Sequence, residues 1–519
     1  MAFRLQALQG FHAYGLAFIL GCFFPLGFAP FNAFPVTILS MTGLAWLWQG
    51  RSLKHTLLSG WWYGFGLYSA GVSWVYVSIH QFGDTPALLA IIMTAAFTAG
   101  LAIFTTFQAW LYHSLKLQRF YLLGFPALWV FSEWLRTWFL TGFPWLFSGY
   151  AFIDTPLSGY APVFGVMGIS FVASFIACSL LAMSKLLGVN AEESSGKNPR
   201  QSYHFALYSS LIVVLTLTGW GLQRIEWTTL SQKEPLSVSL VQGNVPQSSK
   251  WSAEMREYTL NLYPELSASS WGKDLIIWPE AAIPAFRYEV LDYLDQLNKI
   301  AVTQGTTLIT GIPIVENPGN NPNQADKAYF NAIIAIGNGA GSYHKQKLVP
   351  FGEYVPLENW LRGLMPFFNL PMSGFNRGES HQPPLMAGSV RIAPFVCYEI
   401  VYPDLVAAGG SQADVLLTLS NDAWFGESIG PLQHFEMARM RALELGKYLL
   451  RGTNNGITGI IDHKGKVLES APQFSTWVLN GEVKLTDGAT PFSRYGSKPV
   501  LFLAVLIIAV CLVFSRKST

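Results

Sequence analysis

Eight apolar segments constrain the fold of this chain more than any other feature of its sequence. Seven of them lie in the first 222 residues, and the eighth lies close to the C-terminus. An α-helix needs about 20 mainly apolar residues to cross the hydrocarbon core of a bilayer, and most of the segments approach that length. The sequence therefore predicts a polytopic α-helical membrane domain of about eight spans, at Tyr14–Phe31, Phe34–Trp48, Leu57–Ile79, Pro86–Tyr112, Tyr121–Trp138, Val163–Leu187, Ala206–Leu222 and Pro499–Phe514.

The positions of lysine and arginine between these spans predict how the chain is oriented. Basic residues occur in alternate connections, as at Arg51, Lys116 and Arg200, whereas the intervening connections, such as residues 81–85, contain none. Loops on the cytoplasmic side of a membrane hold the excess of positive charge. We therefore expect both termini to be cytoplasmic and the long polar insert to lie on the outer face of the membrane.

The polar insert divides the chain into three parts. We expect residues 1–222 to form a transmembrane domain with seven spans, residues 223–497 a domain outside the membrane, and residues 498–519 a last span with a cytoplasmic tail. The insert alternates β-branched segments with helical ones, which is typical of an α/β domain. Strands are predicted at Leu236–Gln242, Leu275–Trp278, Thr307–Val315, Tyr329–Ile336, Val390–Val396 and Val415–Ser420, with a hairpin over Gly456–Leu468, and helices at Ala253–Ser267, Tyr288–Gln304, Pro403–Gly409 and Leu432–Tyr448.

Composition and motifs argue against several classes of function. The 33 basic and 31 acidic residues leave a net charge of only +2, and no basic stripe with interleaved aromatic residues occurs, so a nucleic-acid partner is not expected. No GxGxxG motif follows the first strand of the insert, which leaves a dinucleotide-binding fold without its main support. Histidine and cysteine residues show no metal-ligand spacing. We expect the protein to need no metal or organic cofactor.

Cys397 stands apart from the three other cysteines. Cys22, Cys178 and Cys511 lie within apolar segments, whereas Cys397 follows a β-branched run in the polar insert. It has no disulfide partner in that insert, so a structural bridge is the weakest explanation. For this residue taken alone, a nucleophile and a buried structural thiol are equally open.

Two further reactive groups, Glu280 and Lys345, also follow predicted strands of the insert. A carboxylate whose pKa is raised by burial can take the proton of a thiol. An ammonium group stabilises both the thiolate and the oxyanion that forms when the thiolate attacks a carbonyl carbon. With Cys397 the set predicts acyl transfer through a thioester, although Glu280 alone fits an ordinary turn and Lys345 alone a solvated lysine.

The sequences around these residues resemble the three motifs of the nitrilase, or carbon–nitrogen hydrolase, superfamily. The spans on both sides of the insert narrow the resemblance to the apolipoprotein N-acyltransferase family of bacteria, and it extends over almost the whole chain. The segments that carry it are Phe143-Pro-Trp145, Val241-Gln-Gly-Asn-Val-Pro-Gln247, Trp278-Pro-Glu280, Tyr343-His-Lys345-Gln-Lys-Leu-Val-Pro-Phe-Gly-Glu353 and Cys397-Tyr-Glu399.

This resemblance implies an inserted nitrilase-like α/β domain, a four-layer α-β-β-α sandwich, and a function. Glu280 would act as general base, Lys345 would stabilise the oxyanion, and Cys397 would be the nucleophile. In a ping-pong reaction, Cys397 would take an acyl chain from a phospholipid, typically phosphatidylethanolamine. It would pass the chain to the N-terminal α-amino group of a diacylglyceryl apolipoprotein, which is the final step of lipoprotein maturation. The insert would then lie on the periplasmic face of the inner membrane.

Five more residues are candidates for roles in positioning the reactive groups or the substrate. We expect Glu353 to hold Lys345, and Glu399 with its neighbour Tyr398 to orient the loop after the nucleophile. Trp251 and Trp424 follow predicted strand ends, so we expect them to line the same cleft, although core packing explains them equally well. The charged residues of the last predicted helix form its polar side and are assigned no chemistry; they are His434, Glu436, Arg439, Arg441 and Glu444.

Two segments carry hypotheses of a different kind. Tyr354–Phe375 is too apolar for a free surface loop, and we expect it either to be a mobile arm that enters the outer leaflet and admits acyl chains, or to pack on the insert. Glu133 and Arg136 share one helix face in the fifth span and are expected to form an ion pair. We expect that pair at the end of the helix rather than facing a substrate.

Two alternative functions remain open at this point. In a membrane-tethered C–N hydrolase of the same fold, water instead of a lipoprotein amine would resolve the acyl-enzyme. In a transporter or receptor, the insert would bind a ligand and Cys397 would have no chemical role.

Overall fold

The computed structural model of the chain describes residues 10–190, 199–316, 327–350, 352–354 and 374–517. The chain divides into two compact units, one made of Met1–Ile79, Pro86–Glu226 and Tyr495–Thr519, and the other of His80–Thr85 and Trp227–Arg494. The first unit is helical, and the second contains the β-strands described below.

The helical unit contains eight helices of 13 residues or more within its described residues, and each overlaps one of the predicted spans. Four helices are long and apolar enough to cross a membrane, at Ala87–Ser114, Pro156–Leu187, Arg200–Leu222 and Lys498–Ser515, and two shorter apolar helical stretches occupy Phe11–Gly27 and Phe34–Leu47. The eight helices are α1 Phe11–Phe23, α2 Phe34–Leu47, α3 Leu53–Gly71, α4 Ala87–Ser114, α5 Tyr121–Leu135, α6 Ala161–Asn190, α7 Pro199–Leu222 and α12 Lys498–Lys517.

Small residues allow α3 and α4 to pack closely. A Cβ atom on Gly64 would lie 1.9 Å from the hydroxyl oxygen of Thr105, and one on Gly60 would lie 2.8 Å from the Cβ of Ala109. Because lipid tails are as apolar as leucine, helices in a bilayer associate through such close van der Waals contact rather than through the hydrophobic effect.

The expected ion pair between Glu133 and Arg136 is wrong. Both side chains are buried in the helical unit, but within the described residues no ion pair joins them. Glu133 accepts hydrogen bonds from the backbone N–H of Ser148 at 2.7 Å and from the indole of Trp129 at 3.0 Å. The guanidinium of Arg136 donates to the carbonyl of Trp145 at 2.8 Å. Each charge is therefore satisfied by the interior of the unit and not by the other.

The second unit is built on two large sheets. Their strand orders are β14-β2-β3-β4-β5-β7 in the six-stranded sheet and β13-β12-β11-β10-β9-β8-β6 in the seven-stranded sheet, while β1 and β15 form a separate antiparallel pair. The strands are β1 Thr228–Leu230, β2 Leu236–Gln242, β3 Leu275–Ile277, β4 Thr307–Glu316, β5 Ala328–Gly337, β6 Gly339–Ala340, β7 Ser342–His344, β8 Leu385–Ala387, β9 Val390–Val396, β10 Val415–Ser420, β11 Leu449–Thr453, β12 Gly459–Ile461, β13 Val467–Ser470, β14 Trp477–Val483 and β15 Thr486–Gly488.

One hydrophobic core contains residues from both large sheets. Val238 and Leu240 of β2 belong to the same buried cluster as Ile392 of β9 and Leu417 of β10. The intervening residues of the six-stranded sheet, such as Ile276, belong to a second cluster with residues of helix α9. This alternation follows from the strand period of two, which points successive side chains to opposite faces.

Four helices accompany the sheets in this unit: α8 Ala253–Leu266, α9 Leu291–Thr303, α10 Pro403–Gly410 and α11 Gly430–Leu445. They agree with the predicted helices except at their ends. The last was predicted to run from Leu432 to Tyr448, but Gly446 has a φ of 64° and ends it. Glycine is the usual residue where a helix terminates in the left-handed conformation.

Strands β2, β9 and β10 have the predicted bounds, and the predicted hairpin corresponds to β12 and β13. The sequence analysis missed β11 and β14. Strand β14 is mostly polar or exposed at alternate positions, and it is held by antiparallel pairing with β2.

Candidate active site

The three reactive groups predicted from the sequence follow three different strands of the second unit. Glu280 lies three residues after β3, Lys345 directly after β7 and Cys397 directly after β9. The ammonium of Lys345 is 1% exposed and lies 3.8 Å from a carboxylate oxygen of Glu280, which is 8% exposed. The charges of both residues act on the thiol of Cys397. Two sheets thus contribute to one buried cluster.

Cys397 adopts an unusual backbone conformation at the junction between β9 and the 3₁₀ turn Cys397–Val401. Its φ is 51°, in the left-handed region that side chains with a Cβ rarely adopt. Such a conformation costs about 1–3 kcal/mol and persists only where the surroundings hold it. Burial raises the pKa of the Cys397 thiol, as does the carboxylate of Glu280, whereas Lys345 lowers it. The thiol is therefore protonated at rest and needs a base.

Glu280 is placed to be that base. One of its oxygens accepts a hydrogen bond from the side-chain amide of Asn331 at 2.7 Å, and the other accepts from the backbone N–H of Asn421 at 2.8 Å. Burial raises the pKa of Glu280 above its ordinary value, while the neighbouring ammonium of Lys345 opposes that rise. A carboxylate with a raised pKa is a stronger proton acceptor than an exposed one.

Lys345 lies between two carboxylates. Its ammonium contacts Glu353 at 2.8 Å as well as Glu280 at 3.8 Å, and the amide of Asn331 bridges the same two carboxylates. Burial alone would lower the pKa of Lys345, but Glu353 and Glu280 raise it above the ordinary value. The ammonium is therefore charged and fixed in direction.

Glu399 and Tyr398 follow the nucleophile and are buried. Glu399 accepts hydrogen bonds from the backbone N–H groups of Val396 at 2.7 Å and Gln346 at 2.6 Å, so it joins the end of β9 to the segment that carries Lys345. Burial raises the pKa of Glu399 to about 7, against the effect of these donors. The ring of Tyr398 packs edge-on against Tyr402.

The two tryptophans lie apart from this cluster in different ways. Trp251 is 39% exposed, and it is its neighbour Lys250 that contacts the site, donating to the backbone carbonyl of Glu280 at 3.2 Å. Burial lowers the pKa of Lys250 to about 8. Trp424 packs against Phe82 of the 80–85 segment, with ring centroids 5.5 Å apart.

The sequence analysis missed Asn331, Asn421 and Lys250. Asn421 follows β10 directly, and its position at a strand end was the available signal. Lys250 and Asn331 carry no comparable signal, because their roles depend on contacts with Glu280 that are distant in sequence. Of the predicted arm Tyr354–Phe375, residues 355–373 lie outside the described residues.

The last predicted helix, α11, does not have a solvated polar side. His434, Glu436, Arg441 and Glu444 are all at most 3% exposed, and Arg441 pairs with Glu444 at 3.0 Å. Charged residues are fully buried only when they are paired or hydrogen-bonded, and here the partners lie within the unit.

Replacing Glu353 with glutamine tests how far Lys345 depends on its ion pair. Hydrogen bonds to charged groups contribute about 1.5–3 kcal/mol, and 1.36 kcal/mol changes a rate tenfold. We expect turnover to fall roughly 10- to 100-fold in steady-state assays, with the protein still folded. The matched control is Glu316→Gln, because Glu316 is exposed and faces His344 at 3.7 Å. Turnover of Glu353→Gln equal to that of the control would contradict this role.

The described residues contain no group of three or more metal-binding side chains. A buried glutamate, lysine and cysteine on a two-sheet α/β unit define the carbon–nitrogen hydrolase class. Residues 237–490 match the family "Carbon-nitrogen hydrolase", and residues 20–179 match "Apolipoprotein N-acyltransferase N-terminal domain".

Similar proteins cover the chain almost completely. An apolipoprotein N-acyltransferase of Pseudomonas aeruginosa PAO1 is 43% identical over 513 residues, covering 97% of this chain and 96% of that protein. One from Vibrio vulnificus is 42% identical over 515 residues, covering 95% of each. The chain belongs to the apolipoprotein N-acyltransferase family.

Among solved structures, the chain is similar to an amidase from Nesterenkonia sp., at 18% identity and a TM-score of 0.34 over 49% of this chain and 92% of that one. It is also similar to a carbon-nitrogen hydrolase from Helicobacter pylori G27, at 16% identity and a TM-score of 0.35 over 48% of this chain and 89% of that one.

Proposed function

We propose that this protein transfers an acyl chain from a phospholipid to the N-terminal α-amino group of a diacylglyceryl apolipoprotein, through a thioester on Cys397. The observation that carries the proposal is the buried cluster in which Lys345 lies 3.8 Å from Glu280 and both charges act on the thiol of Cys397. Membership of the family supports the choice of acceptor.

In the first half-reaction, Glu280 takes the proton of the Cys397 thiol as the sulfur attacks the ester carbonyl of the donor lipid. The carbonyl oxygen becomes an oxyanion, which the ammonium of Lys345 stabilises. When the tetrahedral intermediate collapses, the bond to the glycerol oxygen breaks and Glu280 returns its proton to that oxygen. The products are a lysophospholipid and an acyl thioester on Cys397.

In the second half-reaction, the free α-amino group of the acceptor attacks the thioester carbonyl, and Glu280 accepts the proton that the amine loses. Lys345 stabilises the second oxyanion in the same position. The carbon–sulfur bond then breaks, an amide is formed, and the proton held by Glu280 returns to the thiolate of Cys397. Atoms and protons balance over the two steps, because one ester is consumed and one amide is made.

We also propose the arrangement of the chain around this reaction. Residues 1–222 form a transmembrane domain of seven spans, residues 223–497 a periplasmic catalytic domain with a four-layer α-β-β-α sandwich, and residues 498–519 the eighth span and a cytoplasmic tail. The core shared by the two sheets supports the sandwich, and the apolar helices together with the distribution of basic residues support an inner-membrane location with both termini cytoplasmic.

The test is an assay of the full chain in vesicles with phosphatidylethanolamine labelled in its sn-1 acyl chain and a synthetic diacylated lipopeptide. We expect the label to appear in an N-acylated lipopeptide and lysophospholipid to accumulate with it. A lipopeptide whose N-terminus is already acetylated serves as the control and should remain unlabelled. Release of labelled fatty acid alone would show a hydrolase instead, and no turnover of the label would favour a binding protein.

A further inference from the structure

A buried polar cluster on α11 and the neighbouring strands contacts the backbone of Cys397. We call the three residues Asp422, His434 and Arg451 the His434 cluster. The Nε2 atom of His434 lies 3.2 Å from the carbonyl oxygen of Cys397, and its Nδ1 atom lies 3.1 Å from Asp422 and 3.0 Å from Arg451. His434 is 1% exposed, and a guanidinium nitrogen of Arg451 donates to Asp422 at 2.7 Å.

The partners of His434 determine where its proton lies. A carbonyl oxygen can only accept a hydrogen bond, so Nε2 must carry the hydrogen that faces Cys397. The guanidinium of Arg451 can only donate, so Nδ1 accepts from it in the neutral ring, while a second proton on Nδ1 would instead face Asp422. In either form the ring donates from Nε2 to Cys397, and Asp422 with Arg451 fixes the ring plane.

This hydrogen bond acts on the strained residue of the site. Cys397 has a φ of 51°, and the peptide before it is held by Glu399, which accepts from the N–H of Val396 at 2.7 Å. His434 holds the peptide after it. The two contacts fix the backbone on both sides of the nucleophile, and the direction of the thiol follows from that backbone.

We propose that His434 is a positioning residue that keeps Cys397 in its left-handed conformation by donating Nε2–H to the Cys397 carbonyl. The effect on acyl transfer rests on the function proposed above, but the effect on the direction and reactivity of the thiol does not. His434 touches neither substrate nor the reacting sulfur in this role, and it acts only through the backbone of the nucleophile.

Two amide substitutions separate positioning from mere packing. The amide nitrogen of glutamine replaces Nε2 of histidine, so His434→Gln keeps a donor for the Cys397 carbonyl. Asparagine reaches only to the position of Nδ1, so His434→Asn keeps the contact with Asp422 and Arg451 and loses that donor. Both are neutral, polar and close in size, and His381→Ala provides a control at an exposed histidine whose ring contacts Ser380.

The first measurement is the rate at which iodoacetamide alkylates Cys397 in the full chain, followed by intact mass, and the second is kcat and KM for acyl transfer. We expect His434→Asn to lower both the alkylation rate and kcat at least tenfold with KM unchanged, and His434→Gln to remain within threefold of the unmodified protein. Equal rates in the two variants, at equal melting temperatures, would overturn the proposal.

Two provisions keep the test decisive. If His434→Asn does not fold, Asp422→Asn replaces it, because the amide removes the charge that holds Arg451 beside the ring. We then expect lower kcat at constant KM, and unchanged kcat would overturn the proposal. The alkylation rate does not depend on any acyl donor, so a protein that fails to transfer acyl chains but still shows the difference between Gln and Asn contradicts the proposed function and not the role of His434.

Discussion

Replacing Cys397 with alanine is expected to abolish acyl transfer and to leave the protein without an acyl adduct. Loss of a catalytic nucleophile lowers turnover by a factor on the order of 10⁴ or more, because the covalent route is closed and only binding and oxyanion stabilisation remain. The measurement is intact mass of protein purified from membranes and incubated with phosphatidylethanolamine. The unmodified chain should gain the mass of one acyl group, and Cys397→Ala should gain none.

The matched control for this prediction is Cys22→Ala. Cys22 is only partly buried, like Cys397, but it lies in the helical unit and carries no proposed chemistry. It should form the adduct at the rate of the unmodified chain. An acyl adduct that persists in Cys397→Ala, or vanishes in Cys22→Ala, would show that the thioester forms elsewhere.

Replacing Glu280 with glutamine is expected to have the second largest effect. A positioned general base contributes a factor of about 10² to 10⁴, and the amide cannot accept the thiol proton. The substitution preserves the shape of the side chain, and its carbonyl oxygen can still accept from Asn421. Acylation of Cys397 should therefore slow by that factor in single-turnover experiments. Glu265→Gln, at an exposed position of α8, should be without effect.

The same carboxylate determines how acylation depends on pH. The base must be ionised, so the rate falls as pH decreases through the pKa of Glu280. Burial raises that pKa, and the acidic limb should therefore lie above the range of an exposed glutamate, near 4.3. Single-turnover rates measured across the acidic range should show this limb in the unmodified chain and lose it in Glu280→Gln. A limb that is identical in both would assign it to another group.

The sequence was sufficient to predict the strands that carry the reactive groups. Val390–Val396 and Val415–Ser420 are short β-branched runs, and such runs keep their bounds because both faces of the sheets are buried. Strand β14, Trp477–Val483, lacks this composition and exists because it pairs with β2. Its formation is a tertiary effect that local propensity does not contain.

The site was predictable in its reactive members but not in its supporting ones. A thiol, a carboxylate and an ammonium at strand ends have a recognisable chemistry. Asn331 acts through bonds to Glu280 and Glu353, which are 51 and 22 residues away. The polar residues of α11 misled for a related reason, because charge is normally solvated, whereas Arg441 and Glu444 neutralise each other inside the unit.

The small pair of strands β1 and β15 has a consequence for how the catalytic unit is joined to its helices. Thr228–Leu230 pairs with Thr486–Gly488, so the first and last strands of the unit run side by side. A domain whose two ends emerge together can be inserted into another chain without stretching either one. A permuted chain with Thr228 and Gly488 bridged by a short linker, and opened at an exposed turn, would keep the pairing of every strand in both large sheets.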